Sequence, residues 1–218
     1  GVEAGIFSPK LRSSALRTLA LQSLSLEEDA LLLVGVGRFS AEKRWDMVMR
    51  AVGECALRHQ IGLLIIGDGP KRQKLELLAE RLPGVGVVPR LSDRSELARL
   101  LASTDALIHG CEAETFCMVA AEARASGIPL IVPDRGAAVD QLVPGAGVSY
   151  QAASERALEQ AIERFLERGP ELQRAAAARA STVRSMDMHF AELFERYARI
   201  SSATTYQQAQ AGTLEPTI

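Results

Sequence analysis

Residues 31–36, Leu-Leu-Leu-Val-Gly-Val, and residues 61–66, Ile-Gly-Leu-Leu-Ile-Ile, are two short apolar runs on either side of a helical pattern. Between them, over residues 43–58, apolar side chains recur at helical spacing, namely Trp45, Val48, Met49, Val52 and Ala56. Both runs are apolar throughout instead of alternating with polar residues, which is typical of strands buried on both faces of a parallel sheet. The order of strand, helix and strand therefore predicts a β-α-β unit.

The same alternation continues along the chain. After the turn Gly67-Asp68-Gly69-Pro70, the pattern predicts helices over 71–82, from Ser92 or Asp93 to near Ser103, over 116–126 with Gly127 at its end, and over 136–142. Further strands are predicted over 85–88, 105–109, 130–132 and 147–150. We predict an α/β fold, with a Rossmann-like parallel sheet and helices on both of its faces.

Residues 153–200 have helical character and are expected to form a C-terminal helical extension. Gly169-Pro170 is predicted to divide it into two helices, and Asp187 to begin a third. Residues 201–218 are rich in Thr, Gln and Ala, and fit either a flexible tail or a helix that needs a partner. The expected organisation is a leading segment over 1–30, a domain over 31–200 and a flexible tail over 201–218; the lack of an initiator Met suggests a piece of a longer protein.

The composition excludes several classes of function. Of the 218 residues, 47% are hydrophobic and 24% are charged, as in ordinary soluble proteins. The net charge of −2 gives no electrostatic footprint for general nucleic-acid binding. No apolar run approaches the roughly 20 residues that a membrane span needs. Three cysteines without ligand spacing, Cys55, Cys111 and Cys117, fit a reducing, cytoplasmic location and argue against a structural zinc site.

Ligands of open parallel sheets bind at the carboxyl ends of the strands, and that rule selects the loops after each predicted strand. The first of these loops carries Arg38 and Lys43. A planar guanidinium and a compact ammonium suit a diphosphate. On spacing alone, however, two surface cations in an ordinary loop are the favoured interpretation.

Two glutamates eight residues apart, Glu114 and Glu122, flank the start of the predicted helix over 116–126. Because that helix is apolar nearly all round, a carboxylate inside it needs a polar partner. A ligand is one candidate for Glu122; a solvated stripe is the equally weighted alternative. Phosphate could bind at the helix N-terminus, and Glu122 lies roughly 9 Å along the helix, where a ribose would reach it. Glu114, which precedes the helix, could accept hydrogen bonds from sugar hydroxyls.

Taken together, these stretches resemble the nucleotide-sugar-binding, C-terminal half of retaining glycosyltransferases of the GT-B fold, family four or group 1. Five motifs carry the resemblance over roughly residues 1–200: Gly1-Val2-Glu3 with Phe7-Ser8-Pro9, Gly37-Arg38-Phe39-Ser40-Ala41-Glu42-Lys43, Gly67-Asp68-Gly69-Pro70, the E-x7-E pattern of Glu114 and Glu122, and Ala125-Ser126-Gly127-Ile128-Pro129.

The resemblance implies a role for each matching residue. Arg38 and Lys43 would contact the donor diphosphate and stabilise the leaving group, and Glu122 would hold the ribose hydroxyls. Glu114 would hold and position the transferred sugar. The segment between the glutamates would line the donor, with backbone amides meeting sugar and phosphate oxygens; its residues are Thr115, Phe116, Cys117, Met118 and Val119. Arg90, in the third loop, would border the base.

Two positions depart from the family pattern, because Cys117 and Arg44 each stand where glycine is usual. The Cys117 side chain would either narrow the sugar pocket or point away from it, and Arg44 is expected to affect only its loop. In this family a catalytic histidine and the acceptor site belong to an N-terminal domain. Of the histidines here, His109 ends a strand beside the proposed site, where a structural hydrogen bond is favoured over a donor contact.

The resulting hypothesis is a donor-binding domain that handles a nucleoside-diphosphate sugar, with UDP or GDP as carrier, and transfers a hexose-type sugar. The expected partners are that donor and an N-terminal domain of the same protein. No metal is demanded, because Arg38, Lys43 and the helix N-terminus can supply the positive charge. No separate cofactor and no nucleic-acid partner are expected, and peripheral membrane contact is an option for the full enzyme. The alternatives are a nucleotide-sugar epimerase or glycogen-synthase-like enzyme on the same fold, a non-catalytic nucleotide-binding module and, more weakly, a phospho-acceptor domain.

Overall fold

A computed structural model describes residues 2–3, 5–183 and 185–211 of the chain, with side chains through residue 200. Its centre is a six-stranded parallel sheet, made of β1 (Leu31–Val36), β2 (Ile61–Gly67), β3 (Val85–Pro89), β4 (Ala106–Ile108), β5 (Leu130–Pro133) and β6 (Gly147–Tyr150). The strand order is β3-β2-β1-β4-β5-β6. The predicted α/β, Rossmann-like sheet is confirmed.

The helices connect these strands and extend the chain beyond them. They are α1 (Ser14–Ser23), α2 (Trp45–Ala56), α3 (Arg72–Ala79), α4 (Arg94–Ser103), α5 (Met118–Ala125), α6 (Ala137–Asp140), α7 (Glu155–Arg179) and α8 (Met186–Ala211), with short 3-10 turns at Pro9–Leu11, Ala41–Lys43 and Ala180–Thr182. None of the described helices is both long and apolar enough to cross a membrane.

Both faces of the sheet are covered, as the apolar strands predict. Leu33 packs in one apolar cluster with residues of α2 and α7, while its neighbour Val34 packs in a second cluster with residues of α4 and α5. Successive side chains of a strand point to opposite faces, so these two clusters are the two layers of the core. The chain leaves β1 towards β2 and β3 and then returns to place β4 on the other side of β1. This reversal marks the carboxyl ends of β1 and β4 as the place for a ligand.

The predicted break at Gly169-Pro170 is wrong, because α7 runs without interruption through Pro170. Proline inside a helix costs about 3 kcal/mol. Phe165 and Leu172, on either side of the break, are fully buried. Each buried side chain of this kind contributes about 1.5–3 kcal/mol, so the packing outweighs the proline.

The leading segment contains a helix that the sequence analysis did not predict. Ser13 caps α1 by accepting a hydrogen bond from the backbone of Leu16. The third helix of the extension, predicted from Asp187, is confirmed as α8. The predicted tail over 201–218 falls partly in α8, and its residues 212–218 lie outside the described part of the chain. The domain limits stay a prediction.

Candidate functional site

A cleft of about 710 Å³ lies at the carboxyl ends of β1, β2 and β3. Arg38 and Arg90 line it, as the sequence predicts for the first and third loops, and Arg94 of α4 lines it as well. The guanidinium groups of Arg38 and Arg90 form no hydrogen bond or ion pair with any described residue. Two unpaired cations in one cleft fit an anionic ligand better than two isolated surface arginines.

Glycines bring the first two loops together beneath this cleft. A Cβ atom on Gly67 would lie 1.9 Å from the carbonyl oxygen of Gly37, so no larger residue fits there without moving the backbone. The loops are also joined by hydrogen bonds from the Phe39 amide to Asp68 and from the Lys71 amide to Phe39, at 2.8 and 3.0 Å. The Gly-x-Gly-Pro turn therefore fixes the loop that presents Arg38.

Lys43 belongs to the same loop but does not line the cleft. Its ammonium forms an ion pair with Glu114, and His109 Nε2 lies 3.2 Å from the same carboxylate oxygen. His109, mainly, and Lys43 lower the pKa of Glu114 from 4.5 to about 2. Glu114 is therefore ionised at every physiological pH.

His109 is almost fully buried. Tyr150 donates a hydrogen bond to its backbone carbonyl at 2.7 Å, and the Trp45 ring meets the imidazole edge-on at 6.3 Å between centroids. The distance from His109 Nε2 to Glu114 Oε1 is short enough for a hydrogen bond, but the two groups are not aligned for one. Neither ring nitrogen of His109 forms a well-aligned hydrogen bond with a described residue. The contact with Glu114 was not predicted, and the role of the His109 side chain stays a prediction.

Glu122 is buried in α5, and its polar partner is Arg94. The guanidinium contacts Glu122 Oε1 at 2.7 Å. Burial raises the pKa of Glu122, and Arg94 opposes that rise. Arg94 was not among the predicted site residues, although the sequence contains one signal for it. A cation in the first turn of a helix opposes the helix dipole, so its presence there indicates a nearby anion.

The two glutamates share one arrangement. In each, Oε1 accepts a hydrogen bond from a cationic side chain, Lys43 for Glu114 and Arg94 for Glu122. The second oxygen of each accepts no hydrogen bond from a described residue and is not among the fully buried polar atoms. Both carboxylates are thus held in place and still able to accept from hydroxyl groups of a ligand.

The segment between the glutamates turns sharply into α5. Cys117 adopts a left-handed backbone with φ of 58°, and its side chain is buried in the apolar cluster against α4 and α5. It therefore points into the core and does not narrow a pocket. Among the described residues, none accepts a hydrogen bond from the backbone amides of Phe116, Cys117 or Met118. The predicted helix start at Phe116 is wrong by two residues, because the left-handed Cys117 precedes the first helical residue, Met118.

Arg44, the other departure from the family pattern, also has a left-handed backbone, with φ of 49°, and it directly precedes α2. Both departures from the family pattern thus fall where the backbone favours glycine. The Arg44 side chain forms an ion pair with Glu112, which links the first loop to the fourth. Arg44 therefore reaches beyond its own loop, contrary to the expectation.

Three potential metal ligands, His109, Cys111 and Glu114, have donor atoms within 4.8 Å of one another. The ammonium of Lys43 already neutralises Glu114. Burial raises the pKa of the Cys111 thiol, which favours the protonated form that metals bind poorly. This cluster fits an internal ion pair better than a metal centre.

The structure thus divides the predicted residues into two groups. Arg38 and Arg90 line the cleft with Arg94 and, behind it, Glu122. Lys43 and Glu114 form a second group with His109. No ion pair between the described side chains joins the two groups. The roles of these residues, with Thr115 and Val119, stay predictions.

Known proteins resemble this chain in sequence over most of its length. The sequence pattern of the family described as "Glycosyl transferases group 1" matches residues 17–182. A GDP-mannose-dependent alpha-mannosyltransferase of Mycobacterium tuberculosis is 36% identical over 145 residues, which cover 66% of this chain and 35% of that protein. A GDP-mannose-dependent alpha-(1-6)-phosphatidylinositol dimannoside mannosyltransferase of the same species is 32% identical over 180 residues, covering 82% of this chain and 45% of that protein.

Solved structures share the fold. The complex of Anabaena Alr3699/HepE with UDP has a TM-score of 0.73 at 20% identity and covers 88% of this chain and 56% of that one. Sucrose-phosphate synthase from Thermosynechococcus elongatus has a TM-score of 0.75 at 22% identity, covering 93% of this chain and 52% of that one. The chain spans less than half the length of the curated relatives it matches.

Proposed function

This chain belongs to the group 1 glycosyl transferases, and we propose that it is the donor-binding domain of a retaining, family-four enzyme of the GT-B fold. The whole enzyme would transfer a hexose-type sugar from a nucleoside diphosphate to an acceptor. One observation carries the proposal: two unpaired arginines line the cleft, and two glutamates held by cations, Glu122 behind the cleft and Glu114 outside its lining, each keep one oxygen free of bonds to the described residues.

The charges fit the departure of a nucleoside diphosphate. Negative charge grows on the diphosphate as the bond to the sugar breaks, and preorganised donors stabilise that charge. Arg38 and Lys43 would supply two cations, and the free amides of Phe116–Met118 would add the N-terminus of α5. The Lys43 ammonium would lie between the phosphate and Glu114. Glu114 would hold this ammonium in place, while the arginines of the cleft keep their charge for the ligand. These groups can supply the positive charge without a metal.

The glutamates would then bind the two sugars of the donor. Glu114, ionised and held by Lys43 and His109, would accept hydrogen bonds from the transferred sugar. Glu122 would accept from the ribose, and Arg90 would border the base. Because the relatives are named for GDP-mannose, we propose GDP-mannose as the first donor to test, with UDP sugars second.

A second domain of the same protein would supply the acceptor site. Val2 forms a parallel bridge with Ser185, so the start of the chain lies beside the start of α8. Along α8, Phe190, Phe194 and Tyr197 are exposed apolar side chains. Both ends of the sheet domain would thus lead towards that second domain. One relative is named for a phosphatidylinositol dimannoside, and a lipid acceptor would bring the whole, cytoplasmic enzyme to a membrane surface.

A titration of the 218-residue chain with GDP, UDP and ADP tests the donor site. Trp45 reports on it, because the buried indole donates a hydrogen bond to the Arg38 carbonyl at 3.0 Å. We expect one diphosphate to change its fluorescence and raise the melting temperature. Lack of response to all three, in this chain and in a longer form that includes the second domain, would contradict the proposal. Transfer assays on the longer form separate the glycosyltransferase from an epimerase, a glycogen-synthase-like enzyme or a binding module.

A further inference from the structure

Arg94 joins three parts of the molecule at the edge of the cleft. It is the first residue of α4, and it contacts Glu122 of α5 at 2.7 Å and Glu3 of the leading segment at 3.0 Å. Its guanidinium also lies 5.3 Å from the centre of the Phe7 ring. These contacts use the Nη2 and Nε atoms and hold the plane of the guanidinium in one orientation.

The arginine and the carboxylate differ in their access to the ligand. Arg94 lines the cleft and is 46% exposed, whereas the Glu122 side chain is 6% exposed and does not line it. A ligand in the cleft therefore meets the guanidinium directly. Among the described residues, only Arg94 forms an ion pair with this carboxylate, and Oε2 accepts no hydrogen bond from them.

We propose that Arg94 is a positioning residue that holds the Glu122 carboxyl group by its Oε1 and turns its Oε2 towards the ribose hydroxyls of the donor. This rests on the proposed function, because it assumes that a nucleoside diphosphate occupies the cleft. Burial alone favours the neutral form of a carboxyl group, and a paired guanidinium opposes that preference. Among the described side chains, Arg94 alone forms a hydrogen bond with Glu122, so it alone fixes which carboxylate oxygen is left for a ligand.

The competing explanation is that Arg94 only fastens the leading segment to α4. Glu3 is 53% exposed and shares the guanidinium, so such a fastening exists. It predicts that loss of Arg94 lowers stability and weakens every ligand alike. A positioning role predicts instead a selective loss of the preference for ribose hydroxyls.

The experiment measures that preference as a ratio of dissociation constants. The ligands are GDP, or whichever diphosphate the chain binds, its 2′,3′-dideoxy form and inorganic pyrophosphate. The variants are Arg94→Gln, Arg94→Lys, Glu122→Gln and the double variant Arg94→Gln/Glu122→Gln, which removes both partners and so leaves no buried charge unpaired. Glu3→Gln removes the ion pair with the leading segment and leaves the contact between Arg94 and Glu122. Arg58→Gln is the matched control, because Arg58 is 50% exposed, pairs with Glu54 and Glu163, and lies just beyond the far end of α2.

We expect the wild type to prefer the ribose form about tenfold or more, as for hydrogen bonds to a charged group. Arg94→Gln, Glu122→Gln and the double variant should all reduce this ratio to near one, with little change for pyrophosphate. Arg94→Lys should keep part of the ratio, and Glu3→Gln and Arg58→Gln all of it.

Two other results would overturn the assignment in different ways. If Glu122→Gln abolishes the ratio and Arg94→Gln retains it, Arg94 does not position Glu122 and the donor site stands. The same conclusion holds if Arg94→Gln weakens pyrophosphate as much as the nucleotide. If the wild type and Glu122→Gln both show a ratio of one, the ribose site itself is wrong, and Arg94 loses its role with it.

Discussion

Substitution of Glu114 by Gln should destabilise the ligand-free protein at neutral pH and not at low pH. The fall of the Glu114 pKa from 4.5 to about 2 corresponds to about 3 kcal/mol, at about 1.4 kcal/mol for each pKa unit. The side chain is only 19% exposed, so solvent screening is modest. We expect Glu114→Gln to lower the free energy of unfolding at pH 7 by about 2–3 kcal/mol.

The sign follows from the depressed pKa. A carboxylate whose folded pKa is lowered contributes its full stability above the unfolded value of 4.5, and loses it as the pH falls towards 2. Urea unfolding, followed by the fluorescence of the single, buried Trp45, measures the difference between wild type and variant. That difference should be largest above pH 5 and shrink steadily below pH 4.5.

A matched control is Glu171→Gln, because Glu171 forms an exposed ion pair with Arg168 on α7. Exposed pairs contribute little, so this variant should unfold like the wild type. A Glu114→Gln variant that matches the wild type at pH 7, or whose destabilisation is as large at pH 3 as at pH 7, would contradict a stabilising role of the Glu114 charge. The second result would mean that the effect comes from lost packing and not from the charge.

The remaining predictions concern the donor site and α7. Arg38→Ala should weaken nucleoside diphosphate binding by about 1.5–3 kcal/mol in calorimetry, the range for charge-assisted hydrogen bonds, with Arg58→Ala unchanged; equal affinities for both variants would remove the phosphate assignment. Lys43→Ala should weaken it over the same range, and retained affinity would show that Lys43 only neutralises Glu114. Glu122→Gln should weaken GDP or UDP more than pyrophosphate, and equal losses would exclude a ribose role. Pro170→Ala should raise the free energy of unfolding by about 1–3 kcal/mol, because α7 regains a backbone hydrogen bond; a lower value would mean that the proline is accommodated without strain.

The sheet could be predicted because its signal is local. Runs such as 31–36 and 61–66 are apolar at every position, and these runs are the strands β1 and β2 of the structure. The break at Gly169-Pro170 could not be judged in this way, because the helix is held by Phe165 and Leu172 packing against distant elements. Local propensity was overridden there by tertiary contacts.

The sequence predicts the site residues of each loop separately, but not the contacts between loops. Arg38, Lys43 and the two glutamates stand in motifs that can be read from the chain. The pairing of Glu122 with Arg94, 28 residues earlier, needs the packing of α4 against α5. The pairing of Glu114 with Lys43, 71 residues earlier, needs β1 and β4 to be neighbours in the sheet. Such contacts depend on strand order, which the spacing of residues along the chain does not contain.

Burial and the neighbouring cations shift the pKa values of the two glutamates in opposite directions, and this difference bears on their proposed roles. At Glu114, His109 and Lys43 outweigh burial and lower the pKa, while at Glu122 burial outweighs Arg94 and raises it. A strongly ionised carboxylate attracts hydroxyl donors firmly and suits the sugar that must be held while its bond breaks. A carboxylate nearer to neutrality binds hydroxyls less firmly, and it depends more on its single cation. Removal of that cation should therefore change Glu122 more than removal of Lys43 changes Glu114, since His109 remains beside Glu114. The affinity of Arg94→Gln for the ribose form should accordingly change with pH over the range in which Glu122 titrates. Over the same range, the affinity of Lys43→Ala for the ribose form should not change with pH.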